Sequence, residues 1–130
     1  MIHYEIYFDK YDWSIEVFIV PSHPQIDRIL RSVKGAGCSE KVLDLAENNL
    51  HEEFNSGFTY SNPEFRKSIM VVNKSSSMIE FINTYNHEKN HVEMHICEEL
   101  GIDPYSEEAA YLSGDMAQQL FLPAVCNFLI

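Results

Sequence analysis

From Ser77 to Gly101 the chain runs without a glycine or proline, and its apolar residues return with a helical period. Ser75-Ser76-Ser77 offers N-caps at one end, and Gly101 is a natural stop at the other. At ~100° per residue, Met78, Phe81, Ile82, Tyr85, Val92, Ile96 and Leu100 fall in an arc of about 120–220° measured from His87. The pattern predicts one long helix with a buried stripe. Inside it lies His87-Glu88-Lys89-Asn90-His91, an H-E-x-x-H sequence. Histidines at i and i+4 sit one turn apart with Cβ atoms ~6 Å apart, so both rings can reach one metal ion. A glutamate beside the first histidine suits a different role, that of holding a metal-bound water and taking its proton. His87, His91, His95 and Glu88 fall at about 0, 40, 80 and 100° on the same wheel, at the margin of the buried stripe, where a cleft can form.

Two histidines do not fill a tetrahedral zinc site with one water, so a third ligand is needed. The chain after Gly101 can supply it. Asp103-Pro104 reads as the start of a second helix, with a cap and a proline at its first position. An antiparallel helix would carry its early residues back to the end of the first. Glu107 shares its face with Ala110, Tyr111, Gly114 and Phe121, residues suited to close packing. Glu108 shares its face with Leu112, Asp115 and Gln119, which looks more solvated. Glu107 is therefore the expected inward carboxylate. The plain alternative is that both are first-turn acids favoured by the helix dipole.

H-E-x-x-H followed by Glu107-x-x-Ala110 at the start of the next helix resembles the short gluzincin-type metallopeptidases. The stretch from Thr59 to Phe121 is also similar to small bacterial and phage-borne zincin-like proteins. The segments Tyr60-Ser61-Asn62-Pro63, Asn86-His87-Glu88 and Glu107-Glu108-Ala109-Ala110-Tyr111-Leu112 carry that likeness. The resemblance implies zinc held by His87, His91 and Glu107, with Glu88 as general base. It implies hydrolysis of a peptide or protein substrate, in a zincin-like fold whose strand before the motif helix borders the cleft. A peptide would add to the sheet edge there. The competing expectation is an inactive metal-binding or protein-interaction module.

Other residues have candidate roles. His95 offers a further ligand or a hydrogen bond to one, although a packed histidine is the simpler reading. Tyr60 and Tyr111 can donate to an oxyanion, but tyrosine occurs seven times and core packing explains most of them. Asp115 can orient a ligand histidine. Lys89 and Asn90 read as solvated, and His3, His23 and His51 as isolated surface residues.

The chain has 130 residues, 20 acids against 9 bases, and a formal net charge of −11. That is the length of one domain, read here as residues 1–58 (hairpin and two helices) followed by 59–130 (strands, motif helix and third-ligand helix). The acidity excludes nucleic acid or an anionic membrane as the main partner. Cys38, Cys97 and Cys126 form neither a disulfide framework nor a C-x-x-C clamp. With no signal peptide or apolar span evident, a reducing cytoplasm is the expected location.

Along the chain, Ile2, Tyr4, Ile6 and Phe8 alternate with His3, Glu5 and Tyr7, and Trp13, Ile15, Val17 and Ile19 recur at every second position. With Asp9-Lys10-Tyr11-Asp12 between them they predict a β-hairpin. Pro21 and Pro24 end it. A helix follows through Ile26, Ile29, Leu30 and Val33, closed by Gly35-Ala36-Gly37. Ser39 caps a second helix with Val42, Leu45, Ala46, Leu50 and Phe54 as its stripe. Asn55-Ser56-Gly57 reads as a turn, and Phe58–Tyr60 and Ser68–Val72 as strands. The order ββααββαα predicts an α+β fold, with one small antiparallel or mixed sheet packed on helices.

Overall fold

Alternation in the first nineteen residues produces the hairpin. β1 (Ile2–Phe8) pairs antiparallel with β2 (Trp13–Ile19) in full register, from Ile2 opposite Ile19 to Phe8 opposite Trp13. Asp12 takes φ 50° in the turn, a left-handed conformation that Asp tolerates better than most residues. In this computed structural model residues 2–19, 23–52 and 57–129 are described, without the side chains of His23, Glu52 and 121–129. Pro21, Phe54, Asn55 and Ser56, and the side chains of His23, Phe121 and Cys126, lie outside the described residues.

After the hairpin come α1 (Ile26–Gly35) and α2 (Glu40–Glu52), then β3 (Gly57–Asn62), β4 (Lys67–Val72), α3 (Met78–Leu100) and α4 (Glu107–Leu129). The fold is α+β. Its sheet is mixed, with strand order β1-β2-β4-β3. β4 is parallel to β2 and antiparallel to β3. One sheet therefore draws on both halves of the sequence, and a division at 58/59 falls inside β3. The strand preceding the motif helix is β4, and it is interior. The expectation of a peptide adding along Ser68–Asn73 is corrected: both edges of β4 are already paired, and the edge beside α3 is β3.

Period-2 patterning divides the sheet into two buried faces. Trp13, Ile15, Val17 and Ile19 of β2 and Met70 and Val72 of β4 pack under α3 and α4, against Phe81, Tyr85, Val92, Ile96, Leu112 and Met116. Phe18, Ile69 and Val71 face the other way, against Ile29, Val33 and Leu50 of α1 and α2. Central strands covered on both faces read as near-continuous apolar runs, as Lys67–Val72 does. No helix among the described residues is long and apolar enough to cross a membrane.

α3 starts and ends as its sequence dictates. Ser77 Oγ accepts from the Glu80 amide at 3.1 Å, and the Glu80 carboxylate returns to the Ser76 amide at 3.0 Å, a reciprocal cap. At the other end Gly101 takes φ 68°, and the Ile102 amide closes on the Cys97 carbonyl at 2.9 Å. The next start differs from expectation. Asp103 and Pro104 form a turn in which Asp103 Oδ1 accepts from the Tyr105 amide at 2.9 Å. Ser106 is the true cap, accepting from the Ala109 amide at 3.2 Å. Asp side chains bond their own backbone two residues on, which pre-empts the capping role.

Leu112 anchors α4 on the sheet and is fully buried. Leu112→Ala should lower the unfolding free energy by about 2–5 kcal/mol, measured by urea titration. A loss below about 1 kcal/mol would mean α4 does not pack as described.

Candidate metal centre

The site forms along the seam between α3 and β3. In Gly57-Phe58-Thr59-Tyr60-Ser61-Asn62 small residues alternate with aromatics. Phe58 and Tyr60 pack on the α1/α2 side. Gly57, Thr59 and Ser61 face α3. At Gly57 a Cβ would run into the Val71 carbonyl and lie 2.9 Å from Glu88 Cγ. Only glycine allows the motif helix this close. Thr59 Oγ1 donates to Glu88 Oε1 at 3.1 Å, and His95 Nδ1 meets Ser61 Oγ at 2.6 Å.

His87 Nε2 and His91 Nε2 stand 3.2 Å apart with the rings edge to face. Two nitrogens on one tetrahedral ion at ~2.0–2.1 Å each would be about 3.3 Å apart, close to this separation, which in the metal-free chain is a hydrogen-bond contact between the rings. A carboxylate oxygen of Glu88 joins them, with ligand atoms of the three residues within 4.8 Å of one another. The group can hold a metal ion. His87 is exposed, His91 half-buried and Glu88 buried, so the imidazoles meet solvent while the carboxylate lies beneath them. Burial holds the Glu88 carboxyl above its ordinary pKa, opposed by the Thr59 hydrogen bond and by His87 and His91. Burial is also the main reason that the His95 imidazole sits below its ordinary pKa; His91 adds to the effect and Glu98 opposes it.

Glu107 is not part of this group. It is exposed and lines a groove of about 400 Å³ with Asn90, Glu93, Met94 and Cys97. Those α3 residues lie at about 240–340° on the wheel, across the helix from the β3 seam. The structure brings neither acid into the group; Glu108 is exposed as well. Among the described residues no further His, Cys, Asp or Glu joins His87, Glu88 and His91. The shared face of Glu107, Ala110 and Gly114 indicated close packing, but α4 packs instead through Leu112, Met116 and Leu120.

The other candidates sit away from the histidine pair or in different surroundings from those expected. Tyr111 is exposed, and Tyr60 lies across the sheet. Asp115 accepts from Tyr11 at 3.4 Å and, among the described residues, has no histidine partner. Lys89, expected in solvent, is buried: its ammonium pairs with Glu93 and donates to Ser113 Oγ at 3.2 Å. His3 is far from isolated. It stacks on Phe18 with ring centres 4.3 Å apart, meets Glu16 at 2.8 Å and receives Arg28 at 2.7 Å. Sequence reasoning missed Thr59 and Ser61, although a strand alternating aromatic with small polar residues was visible.

Two outcomes test this geometry. First, if the group holds a divalent ion, His87→Ala and His91→Ala should each abolish its binding in calorimetry with zinc as the probe, while Glu107→Ala and Glu108→Ala leave it within about threefold. A Glu107→Ala variant that loses zinc would restore it as a ligand. Second, Glu88→Gln should stabilise the metal-free chain at neutral pH. The sign follows from linkage: an acid whose folded pKa is raised loses stability as pH rises from its unfolded towards its folded pKa. The gain should vanish in acid. A Glu88→Gln chain that melts lower than the parent at pH 7 would contradict a carboxylate destabilised by burial.

Compared with known family models, curated proteins and solved structures, the chain matches none, so the functional reading rests on the geometry of this cluster.

Proposed function

We propose that the chain is a zinc-dependent hydrolase of peptide bonds, with His87 and His91 as its protein ligands, the positions expected of a third protein ligand left to water and substrate, and Glu88 as general base. The supporting observation is the 3.2 Å separation of the two Nε2 atoms beside a buried carboxylate. Nitrogen donors of this softness suit zinc. A bound zinc would supply Lewis acidity, polarising a substrate carbonyl and acidifying a water.

The chain's own residues do the rest. The Thr59 hydroxyl, its one proton shared between Glu88 Oε1 and the Glu88 carbonyl, sits at one carboxylate oxygen and leaves the other to take a proton from the attacking water. A carboxyl with raised proton affinity holds that proton long enough to hand it to the leaving amine. Among the described residues β3 is unpaired on its outer side, and it runs beside the cluster. A substrate strand laid along it would bring its carbonyl to the histidine pair.

The absence of Glu107 from the group favours one second reading. If Glu88 itself ligates the ion, His87, Glu88 and His91 form a three-ligand binding module without a base. Glu88→Gln decides between the two. On the hydrolase reading it retains zinc while turnover of a broad peptide library falls by about 100-fold or more. Loss of zinc in that variant would establish the binding module, and undiminished turnover would remove Glu88 from the chemistry.

A further inference from the structure

A second reactive pair lies farther along the same seam. Trp13, Ser68, Ser61 and His95 form a continuous hydrogen-bonded chain from the core to the surface. The Trp13 indole N–H can only donate, and it donates to Ser68 Oγ at 2.9 Å. Ser68 is fully buried, and its other partner among the described residues is Ser61 Oγ at 2.6 Å. Either serine can donate across that contact; the arrangement in which Ser68 donates to Ser61 leaves no buried O–H without an acceptor. Ser61 then has its own proton free for His95 Nδ1, 2.6 Å away. In that arrangement His95 accepts at Nδ1 and carries its proton at Nε2.

A hydroxyl that gives its proton to an imidazole while accepting from a second buried hydroxyl has the arrangement of an activated nucleophile. Ser61 and His95 open onto a cleft of about 150 Å³ whose other walls are Pro63, Glu98 and Glu99. This space fits a short acyl group, and its acidic rim disfavours anionic esters. We propose that Ser61 and His95 form a nucleophile–base dyad that takes up short acyl groups from neutral or cationic esters. As Ser61 Oγ bonds to the acyl carbon, its proton passes to His95 Nδ1. Ser68 O–H, polarised by Trp13, steadies the oxygen as it loses that proton. The C–O bond to the alcohol breaks and the alcohol leaves with the proton from His95. Water then repeats the sequence: its oxygen adds to the acyl carbon, His95 takes its proton, and Ser61 departs and recovers it. No metal or cofactor takes part.

The test is acetylation of the full chain by p-nitrophenyl acetate, read by peptide mass spectrometry with zinc added and with a chelator present. The expected result is an acetyl group on Ser61 in both conditions. It is absent in Ser61→Ala and forms at least about tenfold more slowly in His95→Gln, since a positioned base contributes ~10²–10⁴-fold. Far-ultraviolet dichroism checks that each variant is folded. If Ser61→Ala does not fold, the rate in His95→Gln decides. Acetyl only on lysines or other hydroxyls, or Ser61 labelled equally fast without His95, would overturn the proposal. Because the label must form without zinc, failure here is separable from failure of the metal centre.

Discussion

The close approach of α3 to β3 is the constraint on which the site depends. At Gly57 a Cβ would strike the Val71 carbonyl of the neighbouring strand and crowd Glu88 Cγ and Thr84 Cγ2 of α3 at 2.9 and 3.2 Å, so glycine lets the helix lie directly on the strand. With the helix at that distance, Thr59 reaches Glu88 and Ser61 reaches His95. Thr84, Glu88 and His95 lie within about 40° of one another on the wheel, so one narrow polar stripe of α3 meets one polar face of β3. The apolar stripe beside it sits on Trp13, Ile15, Met70 and Val72. Burial of that stripe sets the helix's rotation, and the rotation decides which motif atoms meet the strand.

The same packing divides the motif's labour. His87 and His91 emerge where solvent can reach their nitrogens, while Glu88, one residue on, is turned inward. The inward carboxylate loses solvation and holds a proton more tightly. Lys89 is carried further into the interface, where Glu93 and Ser113 satisfy its ammonium. An unpaired ammonium there would be far more costly, so the motif helix contains two buried charged residues, each with a dedicated partner.

Much of the fold was legible in the sequence because it follows local rules. The hairpin strands, both helices before β3, the Ser77 cap and the Gly101 stop all lie where alternation, periodicity and capping chemistry place them. The H-E-x-x-H pair was legible for the same reason: i and i+4 on a helix are neighbours whatever surrounds them. What depends on how elements dock was not. The small residues on its face pointed to Glu107, but the large apolar side chains Leu112 and Met116 set the rotation of α4. Lys89 read as solvated because its sequence neighbours are polar. Its position on the wheel, at about 200°, lay inside the apolar arc all along. The interior place of β4 was hidden because chain order says nothing about which strand pairs across a crossover.

The central claim is that His87 and His91 share one metal ion without help from sulfur. X-ray absorption at the zinc edge of the loaded chain tests it most directly. The account predicts about one zinc per chain, with a first shell of nitrogen and oxygen at ~2.0–2.1 Å and the outer-shell scattering of two imidazoles. A sulfur shell at ~2.3 Å, the signature of a thiolate ligand, would contradict it, as would a chain that retains no zinc.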